Sequence, residues 1–398
     1  MVTLAQVLRL GAEAYARGHS LSTPQARAWR GICACRTPLL GGQCLACTHC
    51  GHRHWQYHSC RNRHCPQCGA RARDAWLRGR LAEVLAVPYT HLVFTLPHGL
   101  GSLYRCQPRW VIETLFASVA ATLKDFAANP RWMGIAAGQP AFSLVLHTWS
   151  QDLRQHLHLH LHAVMACGVL GPEGHWHAPA RRPDFLFPVQ ALSKVFRGKF
   201  MAALRQLAQH SELQDPNLAP AGRKVLMQHD WVVYAKTPLG GPAQVLEYLG
   251  RYTHRTAIGN ERIQAITPEH EVVFTVRADA QGGKRRLRLP LDEFIRRFLL
   301  HVLPGGVQRI RHYGVLANGC KKTQLAQARA SLHQPRVDKP ALESAQAFLA
   351  RVARIELSRC PHCRQGRLQV ELVLPGLKHL PEPAARNRAE PARQRGPP

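Results

Sequence analysis

The sequence predicts an α+β fold, in which a central antiparallel sheet is flanked by helices and preceded by a small cysteine-rich module. Three observations lead to this prediction. Some segments repeat their apolar residues with helical spacing, and others are short, aliphatic and bounded by Pro or Gly, as strands are. Residues 31–69 are rich in Cys, His and Arg but poor in aliphatic side chains, so this segment cannot form a core of its own.

The N-terminal half supplies most of the predicted sheet. HLVFTL at 91–96 is typical of a strand, and the following Pro97 ends it. FSLVLHTW at 142–149 and HLHLHLHAVMACGVL at 156–170 are predicted to pair as antiparallel neighbours. Helical spacing of apolar residues predicts the helices at 1–30, 70–85, 109–127 and 188–211.

The C-terminal half continues with a short strand, WVVYAK, and with a helix over 242–253 that has Pro242 in its first turn. EVVFTVRA and KRRLRLPL are predicted to form a hairpin around the turn at 279–283. The amphipathic helix DEFIRRFLLHVL follows, with two acids in its first turn. The tail at 379–398 contains Pro, Arg and Ala without an apolar period, and we expect it to be disordered.

The composition indicates a polyanionic partner. The 398 residues include 53 Lys and Arg against 24 Asp and Glu, a formal net charge of +29. Nucleic acid is the usual partner of such a chain. A solubility device or an anionic membrane surface is an alternative, but the basic residues run through the whole chain and do not form one amphipathic face. We expect no membrane span and no signal peptide, hence a cytoplasmic protein with reduced cysteines.

Two close cysteine pairs in the cysteine-rich module predict a structural zinc site. Each Cys-x2-Cys turn can place two thiolates on one ion, and two such turns complete a tetrahedron. The predicted ligands are Cys47, Cys50, Cys65 and Cys68. The extra candidates, which could form a second site or replace a ligand of the first, are Cys60 and His64 and also Cys33, Cys35, Cys44 and His58. Cys360 and Cys363 near the C-terminus form only half of a site.

Four histidines alternate with leucines in RQHLHLHLHAVM, from Arg154 to Met165. On a strand, every second side chain lies on the same face. His158, His160 and His162 therefore share one face, while the intervening leucines fill a core. Converging neutral imidazoles are suitable ligands for a divalent cation.

A pair of tyrosines lies within VLEYLGRYTHRTAIGN. Tyr248 and Tyr252 are four residues apart, so they share one face of the predicted helix. A role in core packing is the simpler interpretation of the pair alone. A phenol with a pKa of about 10 becomes a useful nucleophile only beside a cation, which the histidine strand and the neighbouring arginines supply.

Taken together, these motifs resemble those of the rolling-circle transposases of the insertion sequence 91 family, members of the HUH endonuclease superfamily. The resemblance follows SCRNRHCPQC, PYTHLVFTLPHGL, LHTW, HLHLHLHAV, EYLGRYTHR and EFIRRFLLHVLPGGVQRIRHYGVLAN in order, and covers most of the chain. It implies that His160 and His162 form the metal-binding pair and that Tyr248 and Tyr252 are catalytic. The third metal ligand stays open among His158, His91 and Gln155.

The resemblance also implies an activity. Mg²⁺ or Mn²⁺ would polarise the scissile phosphate of single-stranded DNA, and a tyrosine would attack it to give a 5′-phosphotyrosine and a free 3′-hydroxyl. The expected partners are hairpin ends of the protein's own element and a target site, reached in the bacterial nucleoid. The residues expected to contact DNA are Arg251, Arg255, Arg285, Arg286, Arg309 and Arg311.

Four parts of the chain follow from these interpretations. The N-terminal helix and zinc-binding module spans 1–86, and the HUH endonuclease domain spans 87–320. A C-terminal helical segment that contains Cys360 and Cys363 spans 321–378, and the tail spans 379–398. Two other functions stay open: a zinc-ribbon DNA-binding regulator without catalysis, and a metal-dependent hydrolase that uses water and forms no covalent adduct.

Overall fold

The structure is a computed structural model, and it describes residues 2–149, 152–153, 155–181, 186–211, 214–236, 257–279, 282–335, 341–354 and 356–377. The strands are β1 (Gly42–Cys47), β2 (Arg53–Tyr57), β3 (Tyr89–Thr95), β4 (Gln139–Trp149), β5 (Gln155–Leu170), β6 (Trp176–His177), β7 (Val233–Lys236), β8 (Ile263–Ile266), β9 (Glu271–Asp279), β10 (Gly282–Pro290), β11 (Ile310–Gly314) and β12 (Leu368–Leu374). The helices are α1 (Leu4–Leu10), α2 (Ala12–Gly18), α3 (Thr23–Ala34), α4 (Gly69–Leu81), α5 (Gly101–Cys106), α6 (Pro108–Ala127), α7 (Pro130–Met133), α8 (Val189–His210), α9 (Pro220–Gln228), α10 (Leu291–Leu300), α11 (Lys321–Ser331) and α12 (Ala345–Ala353).

The central sheet has six strands, ordered β11-β4-β5-β3-β7, with the short β6 paired to β5. Neighbouring strands are antiparallel, and the long strand β5 lies in the middle, between β4 and β3. The predicted pairing of the 142–149 and 156–170 segments is therefore confirmed. The fold-class prediction is confirmed as well, because antiparallel sheets and helices build the molecule and a cysteine-rich module precedes the sheet.

Strand β5 separates two cores. Leu159, Leu161 and Met165 belong to the largest apolar cluster, on the side covered by α6 and α8. Val164 and Ala166, at the alternate positions, belong to a smaller cluster that includes Ala328 of α11. The alternation of side chains along a strand thus gives the sheet helices on both faces and fixes the orientation of the histidines.

The N-terminal helices pack on a second antiparallel unit, made of β8, β9, β10 and α10. Leu8 of α1 and Trp29 of α3 share a buried cluster with Phe274 of β9 and Phe294 of α10. The predicted single helix over 1–30 is divided into three, and the first break is at Gly11. A β-carbon at Gly11 would lie 2.3 Å from Ile295 Cδ1, so a larger residue there would require the Ile295 side chain on α10 to move.

The C-terminal segment and the N-terminal module share a sheet. Strand β12 pairs with β1, from Gly42 opposite Leu374 to Cys47 opposite Leu368, and the sheet order is β12-β1-β2. Helix α11 instead packs on the central sheet. Two short strands alone make a poor sheet, and the third strand comes from more than 300 residues away.

The helix predicted over 242–253 and the tail at 379–398 lie outside the described residues. Among the described helices, none is long and apolar enough to span a bilayer.

The core face of β5 gives a stability test. Leu161 is fully buried, so Leu161→Ala removes packing and leaves a cavity, at a cost of about 2–5 kcal/mol. Leu342 is 87% exposed, so the matched change Leu342→Ala should alter stability by no more than about 0.5 kcal/mol. Thermal unfolding followed by circular dichroism compares the two variants. Equal unfolding midpoints would contradict the assignment of Leu161 to the core.

Candidate metal centres

Three histidines meet on the face of the central sheet opposite the main core. His147 near the end of β4 lies directly across from His160 of β5, and His162 follows two residues later on the same face. The ring nitrogens of the three side chains lie within 4.8 Å of one another. His147 Nδ1 is 2.8 Å from His160 Nε2, and the rings of His160 and His162 are 5.0 Å apart.

A fourth histidine supports this cluster from the neighbouring strand. His91 Nε2 of β3 lies 2.9 Å from His162 Nδ1, within hydrogen-bonding distance, and the two rings are stacked. Such a contact fixes the orientation of His162 and directs its other nitrogen, Nε2, to the role of ligand. His91, one of the three candidates for the third ligand, thus contacts His162 and is not among the three histidines whose ring nitrogens converge.

Burial keeps His162 neutral. Desolvation, together with the charges that His160 and His91 would carry, lowers the pKa of His162 to about 3. Neutral imidazoles offer the lone pairs that a cation needs, so the donor set fits a divalent metal ion. Three nitrogen donors favour a transition-metal ion such as Mn²⁺ over Mg²⁺, which prefers oxygen.

The structure brings His160 and His162 together, as the sequence analysis expects, but His147 was missed. His147 lies in the LHTW motif, for which the sequence predicts a strand and which is one of the motifs that carry the family resemblance. The pairing of its strand with β5 was a usable signal. His158 lies in β5, and its side chain is outside the description. Tyr248, Tyr252, Arg251 and Arg255 lie outside the described residues.

The cysteines form two groups, and this corrects the predicted single site of Cys47, Cys50, Cys65 and Cys68. Each predicted Cys-x2-Cys pair has a different partner pair. The first group is Cys35, Cys60, Cys65 and Cys68, and the second is Cys47, Cys50, Cys360 and Cys363. A Cys-x2-Cys turn defines two ligands only, and the chain topology decides which other two approach.

The first group joins the end of α3 to the loop before α4. Its sulfur atoms lie within 4.8 Å of one another, and Cys60 Sγ is 3.7 Å from Cys68 Sγ. The pKa of Cys68 is lowered because Cys35, Cys60 and Cys65 can donate hydrogen bonds to its thiolate. The pKa of Cys65 is raised because its thiol shares a hydrogen bond with Cys35. Four crowded thiols of this kind fit a tetrahedral Zn²⁺, which stabilises every thiolate at once.

The extra zinc candidates divide in the same way. Cys60 is a member of the first group, whereas His64 is not. His64 is buried, and desolvation together with the nearby Arg309 and Arg63 lowers its pKa to about 3. His64 therefore belongs to the contact between the cysteine-rich loop and the segment before β11.

The predicted DNA-contacting arginines differ in their surroundings. Arg309 is buried, and desolvation lowers the pKa of its guanidinium to about 10. Arg311 makes two 2.7 Å bonds to the Glu113 carboxylate and lies over the Phe116 ring at 4.1 Å. Arg285 and Arg286 are exposed on β10. Arg309 is buried and Arg311 is partly exposed and bound to Glu113, so Arg285 and Arg286 are the more accessible of these four, and the DNA contacts of all four stay a prediction.

Comparison with known proteins defines the class first. Residues 7–96 match the family described as "Transposase zinc-binding domain". Residues 142–324 match the family described as "Putative transposase". The zinc-binding match contains all of the first cysteine group, and the second match contains His147, His160 and His162. A transposase with a zinc-binding domain accounts for both regions.

The relatives narrow this class. "Putative transposase y4qJ" of Sinorhizobium fredii (strain NBRC 101917 / NGR234) is 41% identical over 95% of this chain and 97% of its own length. The "Transposase for insertion sequence element IS801" of Pseudomonas savastanoi pv. phaseolicola is 28% identical over 72% of this chain and 68% of its own. The chain belongs to the insertion sequence 91 family of transposases.

Among solved structures, the conjugative relaxase TrwC in complex with mutant oriT DNA aligns with 40% of this chain and 65% of its own. The identity is 16% and the TM-score is 0.22, too low to indicate a shared fold.

The histidine cluster yields a binding test. His147→Ala removes one of three nitrogen donors, so we expect Mn²⁺ affinity to fall at least about tenfold, the lower bound for loss of a supporting contact. His210→Ala, an exposed residue in the last turn of α8, serves as the matched control and should bind as the wild type does. Isothermal titration calorimetry of the zinc-loaded protein measures both. Unchanged affinity of His147→Ala would exclude His147 as a ligand.

Proposed function

We propose that this transposase nicks and rejoins single-stranded DNA through a covalent 5′-phosphotyrosine during rolling-circle transposition. The observation that carries the proposal is the convergence of His147, His160 and His162 on one buried point of the sheet. The resemblance supplies the chemistry: two histidines separated by a bulky residue, and two tyrosines four residues apart.

The ends of the tyrosine segment support the placement of the nucleophiles. Strand β7 ends at Lys236, which pairs with His91 of β3. The described chain resumes at Ala257, which shares a buried cluster with Leu153, two residues before β5. We propose that Tyr248 and Tyr252, which lie in sequence between these two described ends, supply the phenol that attacks a phosphate at the cluster.

The chemistry we propose is a transesterification. His147, His160 and His162 would hold the cation, with His91 orienting His162. When bound, Mn²⁺ or Mg²⁺ would supply charge that stabilises the phosphate in the transition state. The phenol oxygen of Tyr248 or Tyr252 bonds to phosphorus, the bond from phosphorus to the 3′-oxygen breaks, and the phenol proton ends on that oxygen. The new ester conserves the energy of the broken one, so rejoining needs no nucleotide cofactor.

Two tyrosines allow two successive cleavages, one at the donor end and one at the target. We propose that the substrates are hairpin ends of the protein's own element and a single-stranded target. The first cysteine group holds a structural Zn²⁺ in this scheme, because four thiolates leave no open position for a substrate.

Exposed cations on the β9–β10 hairpin are the best candidate for a phosphate grip. Lys284 and Arg286 share one face of β10 and Arg285 lies on the other; all three are exposed, and Lys284 pairs with the exposed Arg277 on β9. Contacts between such cations and phosphates position DNA without reading its sequence.

The covalent step is tested by trapping it. The protein is incubated with single-stranded element-end DNA and Mn²⁺, denatured and run on a gel. We expect a protein–DNA band that the double variant Tyr248→Phe with Tyr252→Phe abolishes, while DNA binding by that variant stays intact. Tyr234→Phe, an exposed tyrosine on β7, is the matched control and should keep the band.

Two results would favour the rival functions. Cleavage without any covalent band, unaffected by the tyrosine changes, would indicate a hydrolase that uses water. Tight DNA binding with no cleavage under any metal would indicate a regulator.

The phosphate grip predicts a change in salt dependence. Each phosphate contact to a single strand adds about 0.7 to the slope of log affinity against log salt. Arg285→Ala with Arg286→Ala should therefore lower that slope by about 1.4. The control double variant, Lys194→Ala with Arg205→Ala, removes two exposed cations of α8, the helix that covers the main-core face of the central sheet. It should leave the slope unchanged. Equal slopes for the two double variants would remove the hairpin from the interface.

A further inference from the structure

The second cysteine group brings the two ends of the chain together. Cys47 and Cys50 lie at the end of β1, whereas Cys360 and Cys363 precede β12. Their four sulfur atoms lie within 4.8 Å of one another. Cys47 Sγ is 3.7 Å from Cys363 Sγ, and Cys50 Sγ is 3.8 Å from Cys360 Sγ, across more than 300 residues of sequence.

Each pair sits in a tight turn of similar design. The His49 amide lies 3.4 Å from Cys47 Sγ, and the Gly366 amide lies 3.4 Å from Cys363 Sγ. Both amides are placed to donate to sulfur, which favours the thiolate that a metal requires. The turns are closed by backbone bonds, since the Gly51 amide donates to the Cys47 carbonyl and the Arg364 amide to the Cys360 carbonyl.

Few other interactions hold β12, the strand that follows the second of these turns, against its neighbour β1. The β12 side chains of Val370, Leu372 and Val373 are 55%, 55% and 66% exposed. The ion pair between Arg53 and Glu371 lies on the surface, where such pairs stabilise weakly. An edge strand with so little buried apolar area needs another source of stability, as small metal-binding modules do.

We propose that Cys47, Cys50, Cys360 and Cys363 hold a second structural Zn²⁺, which fastens the C-terminal strand to the N-terminal module. Two of the four ligands lie far beyond residues 7–96, the part that matches the transposase zinc-binding family. The module is therefore complete only when the whole chain has been made, and a chain that stops before Cys360 lacks both the ligands and the third strand of its sheet.

Zinc content of the purified full-length protein tests the proposal. Cys360→Ser with Cys363→Ser should contain one zinc per chain less than the wild type, by plasma mass spectrometry. Cys106→Ser with Cys320→Ser changes two cysteines outside both groups and should contain as much zinc as the wild type. An unchanged zinc content in the first variant would overturn the proposal.

A second variant keeps all four thiols. A β-carbon at Gly366 would lie 2.4 Å from Cys47 Sγ and 2.9 Å from the His49 amide nitrogen, so Gly366→Val prevents the two turns from closing. We expect it to release one zinc at least tenfold faster to a chelator. Gly198→Ala, at a helical glycine with open space around it, should release zinc as the wild type does.

Disulfide formation within the second cysteine group is the alternative outcome. The intact mass of the wild type would then be lower by the hydrogen atoms lost in one or two disulfides. If, in addition, the wild type and Cys360→Ser with Cys363→Ser contain the same amount of zinc, the group is a redox pair and the proposal is wrong. The covalent DNA assay is run on the same samples. If the wild type gives no covalent band while the zinc contents are as expected, the result counts against the proposed function alone, because the zinc content does not depend on nicking.

Discussion

The alternation of side chains along β5 is the constraint on which the centre of the molecule depends. One strand must bury leucines under α6 and α8 and, at the intervening positions, bring imidazoles to the opposite face. A slip of one residue in its pairing would exchange the two sets and place histidines in an apolar core. The stability of the main core and the geometry of the histidine cluster are therefore set by one register. The histidines are held by strands of a sheet and do not depend on a loop for their positions.

The cysteine groups solve a different problem. The segment between α3 and α4 has too few apolar residues to fold alone, and its first thiol group ties the end of one helix to the loop before the next. Packing then joins this module to the rest, since Arg63 donates to the Val307 carbonyl at 2.8 Å and Gln25 to the Leu299 carbonyl at 3.1 Å. The first cysteine group is continuous with apolar packing as well, because Cys35 and Cys65 belong to the buried cluster that joins α1 and α3 to α10.

The sequence was sufficient where the physical signal is local. Period-two alternation placed His160 and His162 on one face, and each Cys-x2-Cys spacing identified a turn with two ligands. It was insufficient where partners come from distant segments. His147 depends on the register between β4 and β5, and that register shifts between His147 and Trp149. Cys360 depends on a strand pairing across most of the chain, which no local pattern encodes. Arg311 was predicted to contact DNA because its guanidinium is basic, but only the fold brings Glu113 and Phe116 to it.

The positions of the acidic residues determine which basic residues keep an unneutralised positive charge that can attract DNA. The chain has 24 acids against 53 basic residues, and several of these acids are committed to pairs that join elements. Examples are Asp74 and Glu343 with Arg351, Glu83 with Lys321, and Glu113 with Arg311. Pairs of this kind neutralise cations between packed segments. On β10, by contrast, Lys284, Arg285 and Arg286 are consecutive and exposed, and the residue that pairs with Lys284 is itself an arginine. Positive charge is therefore concentrated on a hairpin of a different sheet from the one that carries the histidine cluster, in which burial keeps His162 neutral. A phosphate backbone can be gripped there while the histidine cluster keeps the unprotonated imidazoles that a metal ion requires.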